Sequence, residues 1–580
     1  MIMDSFKNRI VYQIWPRSFK DSNGDGIGDL QGIISKLGYL KSLGIETLWL
    51  SPIYSTQNKD YGYDIDDYFK INPEFGTMAD FDELIVKAKR LEIGIVMDLV
   101  ANHTSDHHEW FQKALESKDS PYRGYYFFRK GRQDGKGNPL PPNNWLSAFG
   151  GSAWQKDEAS DEYYLTLFTP NQCDLNWENE NVRNGIYESM RFWLDKGIIG
   201  FRMDVINTIS KTENLPNVGT KENLEFPFEH IVSLPRSHDY LKEMHKEVLL
   251  KYSGSLTVGE GSITFTVGEG MVTSKEDLNL YTNPKEKELN MMFQFDLHLL
   301  GCGPLGKYDF RKFYRWTIKE MKDTIDSWQL STQEGGGWLG NFMSNHDQPR
   351  QVSRFGDDRN FRRKSAKALA LLNMTLRGTP FLYQGEEIGM TNCHLEMNEW
   401  KDYEAINDYK VLQEMMHLPG PIAKKVIQKM TRDQARTPMQ WTNAQHAGFS
   451  EVTPWMKVNP NYKWINVEDE EKRDQSLIGF YREIISLRKE YPSFSYGSYA
   501  SLDKKNKKVI AYLREIEDQR MLVIVNLSKD KAQVDLSEID PLDLSFVLGT
   551  YEKKDPERKL SLEPYEALVY RLALQPLERQ

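Results

Sequence analysis

Along the chain, short runs of continuous apolar residues alternate with longer stretches in which apolar positions recur every three or four residues. The first pattern reads as strands buried on both faces and the second as amphipathic helices. Strands are predicted at Ile10–Pro16, Thr47–Ile53, Gly94–Asn102, Ile198–Val205, within Leu256–Glu269, and at Met291–His298, Asn341–Asp347 and Pro380–Gln384. Helices are predicted where Leu30, Ile33, Ile34, Leu37, Leu40 and Leu43 share a face, and over Met78–Leu91, Val182–Lys196 and Tyr240–Tyr252. Three more follow, over Arg311–Trp328, Phe361–Leu376 and Ser476–Glu490. Eight strands each followed by a helix predict an α/β fold of the (β/α)8 TIM-barrel type. A doubly wound open sheet shares the alternation but gives no reason for polar residues at the ends of so many separate strands.

Two segments break the alternation. Residues 104–174, rich in Gly, Pro, Asn and aromatics, read as an irregular domain inserted after the third strand, and a second excursion runs from Glu387 to Asp474. Past Tyr491-Pro492-Ser493 the apolar period becomes two, at Val509–Leu513, Met521–Leu527, Ser545–Leu548 and Ala567–Leu572. The expected organisation is a barrel of residues 1–103 and 175–492, an inserted domain 104–174, and a C-terminal antiparallel β-sandwich over 493–580.

Composition narrows the function by exclusion. A net charge of −10 argues against a nucleic-acid groove, which needs clustered Lys and Arg. Cys173, Cys302 and Cys393 lie far apart with no metal-like spacing, so no disulfide framework is expected. No apolar run is long enough to span a membrane, and Met1–Lys7 leads into the first strand without the apolar core of a signal peptide. The expected compartment is the cytoplasm.

The chemistry gathers where a barrel keeps its active site, at the C-terminal ends of the strands. Strand three ends Asp98-Leu99-Val100-Ala101-Asn102-His103, and strand four reads Gly200-Phe201-Arg202-Met203-Asp204-Val205-Ile206-Asn207. Arg202 and Asp204 stand two apart, so on an extended chain both point to one side, where the arginine keeps the carboxylate ionised and oriented. Strand five brings a glutamate after Thr-Val-Gly, and strand seven ends Asn345-His346-Asp347-Gln348-Pro349-Arg350. Carboxylates converging from three strands with two histidines suit glycoside hydrolysis. A divalent-metal hydrolase uses the same residue types and stays open at this point.

Strand five holds an ambiguity. Leu256-Thr257-Val258-Gly259-Glu260-Gly261-Ser262-Ile263-Thr264 is followed at once by Phe265-Thr266-Val267-Gly268-Glu269-Gly270-Met271-Val272-Thr273, a tandem repeat with two candidate acids. Glu260 sits a short loop beyond the preceding helix, as strand entries usually do. Elsewhere, Asp21-Ser22-Asn23-Gly24-Asp25-Gly26-Ile27-Gly28-Asp29 places oxygen ligands at alternate positions, like the start of an EF-hand loop but without its terminal Glu.

The four strand-end elements resemble the motifs of the α-amylase superfamily. Tyr12-Gln13-Ile14-Trp15-Pro16-Arg17-Ser18-Phe19 and Asp433–Trp441 narrow this to the branch of oligo-1,6-glucosidases, dextran glucosidases and sucrose isomerases. The resemblance covers nearly the whole chain. It implies Asp204 as nucleophile, Asp347 as transition-state stabiliser, and Asp60, Tyr63, His103, Phe168, Arg202, His346 and Arg432 around the terminal glucose. Since the sequence after Glu269 follows the family without a gap, Glu269 is favoured over Glu260 as the acid. The resemblance also implies a structural Ca²⁺ on Asp21, Asn23, Asp25, Ile27 and Asp29, and Val205 matches the α-1,6-cleaving members.

These residues point to a retaining exo-acting α-glucosidase that acts on short α-1,6-linked oligosaccharides. Sucrose isomerase, sucrose or α-1,4-glucosidase and trehalose-6-phosphate hydrolase are the enzymatic alternatives, although no Arg-Leu-Asp-Arg-Asp segment of the isomerase kind occurs. A non-catalytic transporter heavy chain is disfavoured by the intact carboxylates.

Overall fold

The computed structural model describes residues 5–219, 223–258, 261–262, 264–303, 306–309, 314–414 and 416–573. Eight parallel strands close into a barrel: β1 (Val11–Ile14), β2 (Thr47–Leu50), β3 (Gly94–Val100), β4 (Gly200–Asp204), β5 (Phe265–Gly268), β6 (Met291–Phe293), β7 (Leu339–Asn341) and β8 (Thr379–Tyr383). Each pairs with its sequence neighbours, and β8 closes on β1 with Val11 opposite Phe381. Every residue of β1 to β5 is buried, which is why these runs read as continuous apolar stretches. The barrel interior is filled by Val11, Trp49, Val96, Ile199, Phe265, Val267, Met291, Phe293 and Phe381. It is a packed core, so substrate has access only at its ends.

The outer helices follow their sequence signals. Helix α1 (Leu30–Leu43) starts where the Asp29 side chain accepts from the Gly32 amide and stops at Gly44, whose φ of 94° only glycine adopts freely. Helix α2 (Met78–Arg90) opens on a Thr77/Asp80 capping box, and α3 (Glu180–Asp195) on Asn179. Then come α4 (Pro235–Met244), α5 (Lys275–Thr282), α6 (Ile318–Gly335), α7 (Arg362–Thr375) and α8 (Leu477–Glu490).

Three expectations need correction. The seventh strand is Leu339–Asn341, ahead of the predicted Asn341–Asp347, because the Asn345 side chain accepts from the Asp347 amide in a local turn that competes with the ladder. The helix predicted at Tyr240–Tyr252 begins at Pro235, a favoured first helical residue, and passes through a π-helical turn at His245–Leu249. The helix predicted at Arg311–Trp328 begins at Ile318, where Thr317 and Glu320 form a second capping box, and part of the predicted span lies outside the described residues.

The insertion after β3 contains regular structure. His103–Ser105 pairs with Gln172–Asp174 at its base, helix Glu109–Glu116 follows, and Trp154–Lys156, Glu162–Leu165 and Phe128–Lys130 form an antiparallel sheet. Trp145, Trp154, Tyr163, Leu165 and Phe168 give it an apolar cluster that reaches Val205 at the barrel mouth. At the C-terminus, β9 (Ser498–Leu502), β10 (Val509–Ile516), β11 (Gln519–Asn526), β12 (Leu544–Gly549) and β13 (Ala567–Leu572) form an antiparallel sheet ordered β9-β10-β11-β13-β12. Val534, Leu560 and Leu562 of a separate two-stranded ribbon cover one face of it. No described helix is long and apolar enough to cross a membrane, and all three cysteines are buried.

Candidate active site

Arg202 holds the ends of three strands together. Its Nη1 donates to Asp98 Oδ1 of β3 at 2.7 Å and to Asp204 Oδ1 of its own strand at 2.8 Å. Its Nη2 donates at 2.5 Å to Glu269 Oε2, just past β5. The alternation of β4 puts Arg202 and Asp204 on one side, as the sequence predicts, and the β4–β5 pairing brings up Glu269. Glu260, the other candidate acid, lies outside the described residues.

A second network lines the opposite wall. Gln13 Nε2 lies 2.7 Å from His346 Nδ1, so the ring accepts there and carries its proton on Nε2. That nitrogen is 2.7 Å from the Tyr63 hydroxyl and 3.1 Å from Asp347 Oδ2. Tyr63 in turn donates to Asp98 Oδ2 at 3.1 Å. Trp15 and Tyr63 stack on the two sides of the His346 ring, with centroids 5.3 and 5.4 Å away. Asp347 Oδ1 accepts from Arg436 at 2.9 Å and lies 3.7 Å from Arg432.

A cluster of ion pairs flanks this network. Arg432 donates to Asp60 Oδ1 at 3.1 Å and is anchored behind by Asp402 at 2.8 Å. Gln172 reaches Asp60 Oδ2 at 3.3 Å and His103 Nε2 at 3.0 Å. Phe168 packs 5.2 Å from the His103 ring, and Phe149 lies under the Arg432 guanidinium at 4.9 Å. Every predicted pocket residue is therefore brought to one place: Asp60, Tyr63, His103, Phe168, Arg202, Asp204, Val205, Glu269, His346, Asp347 and Arg432. Gln13, Asp98 and Arg436 join the site as well, and all three stand within motifs legible in the sequence. Gln172, Phe149 and Asp402 carry no sequence signal, since their meaning comes only from partners far along the chain.

Burial sets the proton inventory. Desolvation raises the Glu269 carboxyl to about 7 against the pull of Arg202, with the Asp204 charge adding to the rise. Burial likewise raises Asp204 to about 7 and Asp98 to about 6, again opposed by Arg202. Three dry carboxyls around one guanidinium cannot all be charged. Arg202 donates to Asp204, and Arg202 and Glu269 both oppose the rise that burial imposes on it. Burial pushes His346 down, so it is neutral near pH 7, and lowers His103 to about 4. Asp347 runs the other way: burial would raise it, but His346, Arg432 and Arg436 hold it well below the usual carboxylate range. The site thus holds two carboxyls that burial shifts toward the protonated form, beside a third held as an anion.

The Asp21–Asp29 loop lies apart from this pocket. Asp21 accepts from the Gly24 and Gly26 amides at 2.7 and 2.9 Å and from Ser450 Oγ at 2.6 Å. Asn23 and Asp25 cap the amides two residues ahead, and Asp29 binds Ser22 while capping α1. The side-chain donors of this loop are oxygens only, and they are engaged by backbone amides and hydroxyls. Among the described residues no three His, Cys, Asp or Glu side chains converge to hold a metal ion.

Residues 13–497 match the family described as alpha amylase, catalytic domain, and residues 499–569 match the maltogenic amylase C-terminal domain. The oligo-1,6-glucosidase of Bacillus cereus is 47% identical over 574 residues, covering 98% of this chain and 99% of its own. The solved structure of trehalose-6-phosphate hydrolase from Bacillus licheniformis superposes with a TM-score of 0.90 at 40% identity, covering 98% of this chain and all of that one. Isomaltulose synthase from a Klebsiella species superposes equally well, with a TM-score of 0.90 at 39% identity over 99% of this chain and all of its own.

Proposed function

The chain belongs to the α-amylase family, and from that membership we infer that it is a retaining, exo-acting α-glucosidase releasing glucose from short α-1,6-linked oligosaccharides such as isomaltose. The observation that carries the chemistry is the Asp204–Glu269 pair gripped by one guanidinium. In the first step Asp204 attacks the anomeric carbon while Glu269 gives its proton to the glycosidic oxygen, and the reducing-side sugar leaves. Glu269, now a carboxylate, next takes a proton from water, whose oxygen attacks the same carbon and frees Asp204. Two inversions give net retention. Asp347 and neutral His346 hold ring hydroxyls through the flattened, oxocarbenium-like state, and Asp98 keeps Arg202 in place.

The Asp60–Arg432 ion pair, read as the wall beyond the terminal glucose, supports attack on chain ends, because such a wall leaves no exit for a longer chain. Several relatives named oligo-1,6-glucosidase, at 43–47% identity, support the linkage. Initial rates on isomaltose, maltose, sucrose and trehalose 6-phosphate test the reading, with isomaltose expected to be fastest. A faster rate on trehalose 6-phosphate, or isomerisation of sucrose, overturns it.

Val205, 8% exposed beside Phe168, is proposed to help set linkage, since an apolar side chain there offers the next sugar no hydroxyl contact. Val205→Thr keeps the volume and adds one. The maltose-to-isomaltose ratio of kcat/KM is expected to rise about tenfold or more, in line with one contact of ~1–3 kcal/mol. An unchanged ratio in the folded variant would place linkage choice in other loops.

The Asp21–Asp29 loop is proposed to bind Ca²⁺ through Asp21, Asn23, Asp25, the Ile27 carbonyl and Asp29, as a structural ion only. Binding to the folded state raises stability by mass action. Chelation is therefore expected to lower Tm while leaving the initial rate on isomaltose at 25 °C unchanged, and Ca²⁺ should restore the loss. An unmoved Tm with no Ca²⁺ in the protein removes the proposal. Three cysteines far apart in the sequence, without the pattern of a disulfide framework, support a reducing compartment, and the cytoplasm is the proposed setting.

A further inference from the structure

The parallel ladder between β4 and β5 is interrupted at the catalytic carboxylates. Glu269 N donates to Met203 O at 2.9 Å, as a regular ladder requires. The next bond should come from Val205, but it comes from Ile206, whose amide donates to Glu269 O at 3.0 Å. Val205 is thus an extra residue in β4, a bulge, and its freed amide turns to Glu269 Oε2 at 3.3 Å. The bulge carries a backbone penalty, since Val205 has φ 35° and ψ 40°, a left-handed conformation that a β-branched residue resists.

Strain of this kind persists only where the surroundings hold it. On one side Val205 O accepts from Thr208 N at 2.9 Å and Thr208 Oγ1 at 2.7 Å. On the other stands Asn207, fully buried. Its Oδ1 accepts from Met271 N at 2.9 Å and its Nδ2 donates to Met271 O at 2.8 Å. Ser233 Oγ and Thr273 Oγ1 each lie 3.2 Å from the same nitrogen. The side-chain amide pairs in both directions with the backbone of one residue, as a strand partner would, so it replaces the ladder bonds that the bulge removes.

We propose that Asn207 is a positioning residue: by bonding both backbone groups of Met271 it holds Val205 left-handed and so fixes the Glu269 carboxyl beside Asp204 on Arg202. It touches neither substrate nor the reacting atoms and acts through the spacing of the two strand ends. The proposal rests on the reading of Asp204 and Glu269 as nucleophile and acid. Misplacement by about 1 Å in such a pair costs on the order of a hundredfold in rate.

The test uses Asn207→Leu, which keeps the volume and removes both bonds, and Asn207→Asp, which keeps only the acceptor. Asn207→Leu is expected to lower kcat on isomaltose about a hundredfold with KM within about threefold, and Asn207→Asp to lower it about tenfold. Val205→Gly added to either variant is expected to recover part of the loss, because glycine stays left-handed without support. If Asn207→Leu does not fold, Asn207→Asp and its double variant decide. A kcat within threefold of wild type, a change confined to KM, or a glycine that deepens the loss would each overturn the proposal. Loss of activity in Glu269→Gln and Asp204→Asn alongside normal Asn207 variants would locate the failure here, whereas retained activity in those two would locate it in the underlying reading.

Discussion

Asp204→Asn is expected to lower kcat/KM on isomaltose by roughly four powers of ten or more with the fold intact, because it removes the proposed nucleophile. Asparagine keeps the volume, and its amide oxygen still accepts from Arg202 Nη1, now at 2.8 Å from Asp204. The charge it removes is one that the fold disfavours. Burial raises the Asp204 pKa from 3.8 to about 7, so the protonated side chain is the better-tolerated form. Its stabilising contribution is complete below the unfolded pKa and is lost as pH rises through the folded value. Above pH 7 the neutral asparagine should therefore leave Tm unchanged or higher. A variant with activity within tenfold of wild type and an unchanged circular dichroism spectrum would show that Asp204 is not the nucleophile.

The second large effect separates the two glutamates of the tandem repeat. Glu269→Gln is expected to lower kcat/KM on isomaltose by about a thousandfold, within the usual range for a positioned general acid, and Glu260→Gln by less than about threefold. With an activated aryl glucoside the leaving group needs little protonation, so most of the Glu269→Gln loss should disappear. The pH dependence adds an independent check. Glu269 is faced by Arg202, Asp204, Asp347 and His346, and burial raises it from 4.5 to about 7. Its proton is present below that value and lost above it, so wild-type kcat/KM should fall as pH rises through about 7. That alkaline limb belongs to the Asp204–Glu269 pair jointly, and Glu269→Gln should abolish it. Equal, small losses from both glutamate variants would place the acid outside the repeat.

Much of this protein could be read from the sequence because the relevant physics is local. A strand buried on both faces must be apolar throughout, and a helix on its outside must repeat every three to four residues, so Gly94–Val100 and Leu30–Leu43 announce themselves. Alternation along β4 puts Arg202 and Asp204 on one side, and barrel geometry says that such strand ends share a mouth. Thr77 with Asp80 and Thr317 with Glu320 mark helix starts within four residues.

The remainder depends on partners that no local pattern names. Arg432 and Asp60 pair across 372 positions of sequence, and Asp402 behind them stands in a segment without periodicity. The meeting of Glu269 with Arg202 follows from how β5 lies against β4. The bonds from the Asn207 side chain to both backbone groups of Met271 likewise join positions 64 apart. The proton arrangement is tertiary too. In sequence Asp204, Glu269 and Asp347 are three ordinary carboxylates. Burial without enough cations raises the first two, while Arg432, Arg436 and His346 hold the third low. Sequence thus fixed the kinds of group and the strand ends that carry them, whereas desolvation and long-range pairing, which exist only once the barrel has closed, decided which of them hold a proton.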